Sequence, residues 1–281
     1  MISREDLHMR SVSKYILLSM ALAVTVCSQS RPNGNAMVKA LYVGNEGVLV
    51  SHGGKAVLLD GLHREYGPDY LFPPPDLLSA MESAQPPFDQ VRVVLISHIH
   101  LDHFHPESVG LHLKNNPKAV LISSAQTMLE VAKNYKDHEP VRSQMREYTP
   151  EWKQKKQFDI DGIKITLLGL KHGSDRFWWV KNLGHLVEIG GKKLFQFGDA
   201  DMMVENFAAF ELPKEKIDVA FVPYWYFLSD AGRKLVREQI AAKIYVAVHI
   251  PPATAAKEAE NLSSLFPGVR SLTTIRQELE F

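Results

Sequence analysis

VRVVLISHIHLDHFHP, Val91 to Pro106, joins a buried strand to a cluster of metal-type side chains. Val91–Ser97 is a continuous apolar and β-branched run, the pattern of a strand covered on both faces. His98, His100, His103 and His105 then fall within eight positions, with Asp102 among them. His98 and His100 are two apart, so an extended backbone turns both imidazoles to the same side. Asp102 and His103 follow a turn and can point to a second place. Three imidazoles and a carboxylate this close are good ligands for zinc or a similar ion. The cluster also follows the carboxyl end of a buried strand, where α/β proteins tend to place their sites. His105 lies beyond this core and reads as a residue that supports the ligands or as a loop residue.

Working outward, Met37 to Leu62 reads as short strands with glycine turns, Gly53-Gly54 marking a hairpin between GVLVSH and KAVLLD. Arg64 to Phe88 is proline-rich and irregular, with one short helix around Leu77 to Ser83. On the other side, Pro106-Glu107 opens a helix, KAVLISS (Lys118 to Ser124) is a second buried strand, and AQTMLEVAKNY has helical spacing. GIKITLLGL, HLVEIGGKKLFQFGD and IDVAFVPYW read as further strands. LSDAGRKLVREQIAA is an amphipathic helix, KIYVAVHI a strand, and PPATAAKEAENLSSLF a final helix. Strands first, then strand–helix alternation, then the same again, imply an α/β protein of two sheets with helices outside them. No internal repeat and no linker divides residues 31–281, which read as one domain.

Lysine plus arginine and aspartate plus glutamate are each 32 in 281 residues, so the formal charge is 0. That balance argues against nucleic acid as a partner, because phosphate backbones require an excess of cations. A hydrophobic share of 45% is that of an ordinary globular chain. The single cysteine, Cys27, excludes an intramolecular disulfide and a cysteine-based zinc framework. Arg10 and Lys14 precede the apolar run Tyr15 to Cys27, whose 13 residues fall short of the roughly 20 that span a bilayer. Residues 1–30 therefore read as a leader: a cleaved signal peptide, a lipoprotein leader with lipid on Cys27, or an N-terminal anchor or buried helix. The expected location is exported: periplasmic, secreted, or membrane-anchored through a lipid.

The motif H-x-H-x-D-H after an apolar strand resembles the signature of the metallo-β-lactamase superfamily. The accompanying motifs recur in order: Asp60 at the end of KAVLLD, His172 in GLKHGSD, Asp199 in FQFGDAD and His249 in YVAVHIP. The resemblance covers nearly all of residues 37–255 and implies an αββα four-layer sandwich of two mixed sheets. It also implies two metal ions, expected as Zn2+ with Mn2+ or Fe2+ as alternatives. By that resemblance His98, His100 and His172 hold one ion, Asp102, His103 and His249 the other, and Asp199 bridges them. Asp60 braces the loop, and Asp102 also orients the attacking water and shuttles a proton. His185 competes with His172 for the third motif. It sits inside a strand pattern, however, and reads better as a hydrogen-bonded strand residue near the pocket.

The implied activity is hydrolysis by a hydroxide held between two zinc ions. His100 stands where the family's diiron branch carries glutamate, which favours zinc hydrolysis over iron redox chemistry. Asp199 stands where several classical β-lactamases carry cysteine, which argues against that substrate. Motif spacing is similar to the branch holding L-ascorbate-6-phosphate lactonase and N-acyl phosphatidylethanolamine phospholipase D. That implies an ester, lactone or phosphodiester in a small-molecule or lipid-like substrate. Tyr224 and Trp225, in YWYF, are the candidate substrate contacts, with His185 beside them. An iron-dependent oxidoreductase or oxygenase on the same scaffold, or a metal-binding protein without catalysis, are the alternatives. Oligomeric state leaves no mark in the sequence.

Overall fold

The computed structural model describes residues 37–281; the leader expected over residues 1–30 lies outside them. Fourteen strands follow in chain order. The first seven are β1 (Lys39–Gly44), β2 (Gly47–His52), β3 (Lys55–Leu59), β4 (Val91–Leu95), β5 (Val120–Ser123), β6 (Met145–Glu147) and β7 (Lys155–Ile160). The rest are β8 (Ile163–Lys171), β9 (Lys181–Ile189), β10 (Lys192–Gln196), β11 (Val219–Pro223), β12 (Ile244–Val248), β13 (Arg270–Ser271) and β14 (Glu278–Glu280). They form two seven-stranded sheets, ordered β14-β1-β2-β3-β4-β5-β6 and β13-β12-β11-β10-β9-β8-β7.

Both sheets are mixed and share one pairing scheme. β1, β2 and β3 form an antiparallel meander, and β4, β5 and β6 then add in parallel. In the second sheet β7 to β10 form the meander, and β11, β12 and β13 add in parallel. The sequence carries no visible repeat, yet its two halves fold to the same order. The C-terminal β14 returns to pair with β1 and completes the first sheet.

Strand periodicity accounts for the layers. Val93 and Leu95 of β4 join Ile165 and Leu167 of β8 in a core between the sheets. Alternate residues point outward. Val94 and Ile96 pack beneath Leu77, Val109 and Met128, from the helices Pro75–Glu82, Pro106–Asn115 and Ala125–Asn134. On the opposite outer face, Leu168 and Phe195 pack with Phe227, Leu235 and Leu262, from the helices Trp225–Leu228, Asp230–Leu235 and Ala255–Leu265. Helices, sheet, sheet, helices is the expected four-layer order.

Two local readings differ from the structure, and one strand had no reading. HLVEIGGKKLFQFGD is a hairpin rather than one strand, because Gly190 and Gly191 both take positive φ and reverse the chain. KKQFDI forms β7 but lacks an apolar run, since most of its residues face water. The helix expected over Leu228 to Ala242 is α-helical only at Asp230–Leu235 and passes into a π-helical turn at Val236–Ile240.

Candidate metal centre

Carboxyl ends of five strands supply the site. Asp60 follows β3, His98 to His103 follow β4, His172 follows β8, Asp199 follows β10, and His249 follows β12. Gly198 sets the approach of Asp199. Its φ is +52°, and a Cβ there would lie 2.6 Å from Asn182 Oδ1 and 2.7 Å from Ser97 Oγ. Asp60 and His249 hold φ of 40° and 60° without being glycine. Strain of that kind persists where the surroundings dictate it, and it clusters at functional sites. Here the Asp60 amide donates to the Leu95 carbonyl at 3.0 Å, and the His249 amide to the Asn45 carbonyl at 3.0 Å.

The ligand-type atoms among the described residues fall into three groups, one of them Glu46, Asp60 and His103 beneath the site and the other two at the strand ends. His98, His100, His172 and Asp199 place one atom each within 4.8 Å of one another, and so do Asp102, His103 and His249. Asp199 faces both. Its Oδ2 lies 3.9 Å from His98 Nε2 and 3.7 Å from His172 Nε2, while its Oδ1 lies 3.4 Å from His103 Nε2 and 3.6 Å from His249 Nε2. In the second group Asp102 Oδ2 lies 3.3 Å from His103 Nε2 and 3.1 Å from His249 Nε2. His98 Nε2 and His100 Nδ1 approach to 3.0 Å. His185 is not among these residues. It is fully buried in β9, with Nδ1 3.4 Å from Gln196 Oε1, and so neither lines a pocket as expected nor competes with His172. Its flanking apolar pattern placed it on the inner face of the strand, where water and substrate do not reach.

Hydrogen bonds beneath the site fix which imidazole nitrogens carry protons. The Ser97 hydroxyl donates to Asp60 Oδ2 at 2.5 Å, so its oxygen accepts from His98 Nδ1–H at 2.9 Å. His103 Nδ1–H donates to the same Asp60 oxygen at 3.0 Å. His172 Nδ1–H donates to the Gly173 carbonyl at 2.5 Å. Nε2 is thereby the nitrogen that each ring turns to the site, against His100 Nδ1 for His98 and without a partner for His103 and His172. The Ser97 amide and Gln196 Nε2 add further donors to Asp60, at 2.7 and 3.3 Å.

These residues fit a pair of divalent ions. His100 Nε2, His103 Nε2, His172 Nε2 and Asp199 Oδ1 are buried without a hydrogen-bond partner. Orphaned buried polar atoms are costly, and several converging on one place call for a cation. Nitrogen and carboxylate oxygen donors suit zinc and also manganese or iron.

Electrostatics agree with that reading for the two aspartates, His98 and His100. Burial raises the Asp102 carboxyl, but His103 and His249 outweigh it and hold it well below its ordinary range. Asp199 is likewise held down against burial, by His103, His249 and His98. Burial lowers His98 well below its ordinary value, and burial with the neighbouring histidines brings His100 to about 4. Both rings are neutral near pH 7, as metal ligation requires. Burial would lower His103 too, but Asp102 and Asp199 raise it instead.

Asn45, Gln196 and Glu46 shape the site and carried no sequence signal. Asn45, in the β1–β2 turn, donates through Nδ2 to both the carbonyl and Oδ2 of Asp102, each at 3.0 Å. Gln196 donates to Glu46 and Asp60 together. Glu46 is fully buried, and burial pushes its carboxyl up to about 8. Three rings surround the ligands. Phe177 lies 4.5 Å from His100 and 5.3 Å from His172, Trp225 lies 4.9 Å from His249, and Tyr70 lies 5.5 Å from His249. Tyr224 stands one ring further out, 5.7 Å from Trp225. Trp225 opens a short helix rather than ending a strand.

The family profile described as a beta-lactamase superfamily domain matches residues 68–264, and the chain belongs to that family. Solved structures share the fold at low identity. The metallo-beta-lactamase fold protein YhfI from Bacillus subtilis is 13% identical, with a TM-score of 0.59 over 88% of this chain and 100% of that one. Igni18, described as a metallo hydrolase from Ignicoccus hospitalis, is 16% identical, with a TM-score of 0.54 over 87% of this chain and 98% of that one. CmlA, a diiron beta-hydroxylase from Streptomyces venezuelae, is 12% identical, with a TM-score of 0.53 over 88% of this chain. This chain spans only 54% of CmlA. No curated protein matches by sequence.

Proposed function

We propose that the protein is a metal-dependent hydrolase with two ions per chain, zinc being favoured, that cleaves an ester, lactone or phosphodiester bond beside an apolar group. One observation carries the reading: the two oxygens of Asp199 divide between two separate ligand groups. His98, His100 and His172 would hold one ion, Asp102, His103 and His249 the other. Ions bound there supply Lewis acidity and lower the pKa of water toward neutrality.

The chain's own groups do the rest. Asp102 Oδ2 is engaged by His249 and Asn45, which leaves Oδ1 to orient a water by accepting a hydrogen bond from it. Asp60 keeps His98 and His103 in one tautomer. Phe177, Trp225 and Tyr70 form apolar walls that favour a substrate with a hydrocarbon or aromatic group next to the scissile bond. Support for hydrolysis comes from family membership and from the imidazole at position 100. The likeness to CmlA supports the second reading, an iron oxidoreductase on the same scaffold.

Full-length protein loaded with zinc, then assayed on a simple phosphodiester, a lactone and an ester with and without chelator, separates these readings. Chelator-sensitive cleavage of any of the three is expected, together with its loss in Asp102→Asn. Visible absorbance with redox-dependent turnover and no hydrolysis would replace this reading with the iron one. A fully loaded protein that turns over none of them would favour metal binding without catalysis.

A further inference from the structure

Trp178 and Trp179 stand in the segment between His172 and Lys181, next to the ring that covers the metal site, and they are 83% and 47% exposed. A folded chain seldom leaves an indole that open, and two in succession at the mouth of a site call for a ligand. The segment is built rather than loose. Phe177 is seated against His100 and His172, Gln126 Nε2 donates to the Trp179 carbonyl at 2.9 Å, and the Lys181 amide donates to Gln126 Oε1 at 2.8 Å. Leu129, one turn along the same helix as Gln126, and Leu101, beside His100, are also exposed.

Charge distinguishes among occupants. Lys171 and Lys181 face each other at the base of the segment, and Arg176 lies over the Phe177 ring at 5.3 Å. From Lys171 to Lys181 three cations oppose one acid, Asp175, in a chain whose overall balance is zero. Lys171 extends its ammonium over the Trp152 ring at 3.9 Å, with Lys153 on the same ring at 3.9 Å. Protein–protein interfaces are enriched in tryptophan and arginine but depleted in lysine. Lipid interfaces favour all three, because the indole sits at headgroup depth and lysine reaches out to phosphate.

We infer that the His172–Lys181 segment docks the mouth of the site onto an anionic lipid surface, with Trp178 and Trp179 at headgroup depth and Arg176 and Lys181 against lipid phosphates. This does not depend on the hydrolase reading, since the segment would seat the protein whatever the site cleaves. The contact proposed is interfacial; among the described residues no helix is long and apolar enough to cross a membrane.

The test uses the full chain and vesicles of brominated phosphatidylglycerol or brominated phosphatidylcholine. All four tryptophans lie between Trp152 and Trp225, so quenching by bromine reports on this part of the chain and not on the leader. Tryptophan fluorescence should be quenched in the anionic vesicles, and the quenching should fall several-fold in the Trp178→Phe/Trp179→Phe variant. The variant Arg176→Glu/Lys181→Glu should reduce partition into anionic vesicles by about tenfold or more. Several results overturn the proposal: no association with anionic vesicles, association without quenching, equal quenching in the double phenylalanine variant, or equal partition into the zwitterionic vesicles. A concentration-dependent dimer that is lost in the phenylalanine variant would assign the segment to a second copy and also overturn it.

Discussion

The first sheet delivers His98, His100, Asp102 and His103 from one loop after β4, whereas the second delivers His172, Asp199 and His249 from three separate strand ends. Both sheets share a pairing order, so the difference lies in how each half spends its strand ends. In the first, a single turn of chain concentrates four donors, and Asp60 beneath it sets the tautomers. In the second, β8, β10 and β12 must all be in register before their residues meet. Each ligand group draws on both halves, so a bound ion ties one sheet to the other. Metal binding should therefore stabilise the whole fold rather than one loop.

Removing Asp199 tests that coupling most severely. Asp199→Ala should lower turnover by at least a factor of about 10^3 and leave fewer than two ions bound, measured by steady-state rates and elemental analysis. A variant that keeps both ions would break the claim that this residue joins the halves.

An acid titration compares the halves by a different route. Burial lowers His63, beside the β1–β2 turn of the first half, from 6.5 to about 4. Its neutral form is favoured in the fold, so the stability it contributes is fully present above pH 6.5 and is lost as the pH falls toward 4. The metal-free protein should lose up to about 3 kcal/mol over that window through this residue. His63→Gln should flatten that part of the curve in urea melts at pH 7 and pH 4.5. An unchanged curve would remove His63 from the account.

Asp60→Asn keeps the shape of the side chain but weakens its hold on His98 and His103. Metal affinity should fall by about 10- to 100-fold in competition with a chelating dye. An effect no larger than that of an exposed surface change would mean the loop holds its histidines unaided. The smallest effect is expected at Phe177. Phe177→Ala should raise KM by about tenfold for substrates with an apolar group and leave kcat within a few-fold, because an apolar wall binds ground state and transition state alike. A fall in kcat alone would move Phe177 from the binding wall to the positioning of the ligands.

The same contrast explains what was legible in the sequence. The buried run of β4 and the spacing of His98, His100, Asp102 and His103 are local facts, and they announce both the fold and the cluster. His172, Asp199 and His249 are single residues after ordinary strands, and only the family resemblance singled them out. His185 shows the limit of local reading. It has the chemistry of a ligand, but the pleat of β9 turns it into the interior. Asn45 was invisible because its partner, Asp102, is 57 positions away, and Gln196 because Glu46 is 150 positions away. Phe177, Trp178 and Trp179 are alike in sequence. Only the structure shows the first seated against His100 and His172 and the other two open to water. Boundaries such as the Gly190-Gly191 turn were written in the residues, since paired glycines favour a reversal, but the apolar pattern on either side concealed them.

Metal stoichiometry in three proteins tests the central claim most directly: the full chain, His172→Ala and His249→Ala, each titrated with zinc after stripping. Two equivalents are expected for the first and one tight equivalent for each variant, because the two histidines belong to different groups joined by Asp199. One equivalent in the unaltered chain, or loss of the same single ion in both variants, would contradict a dinuclear centre shared between the two sheets.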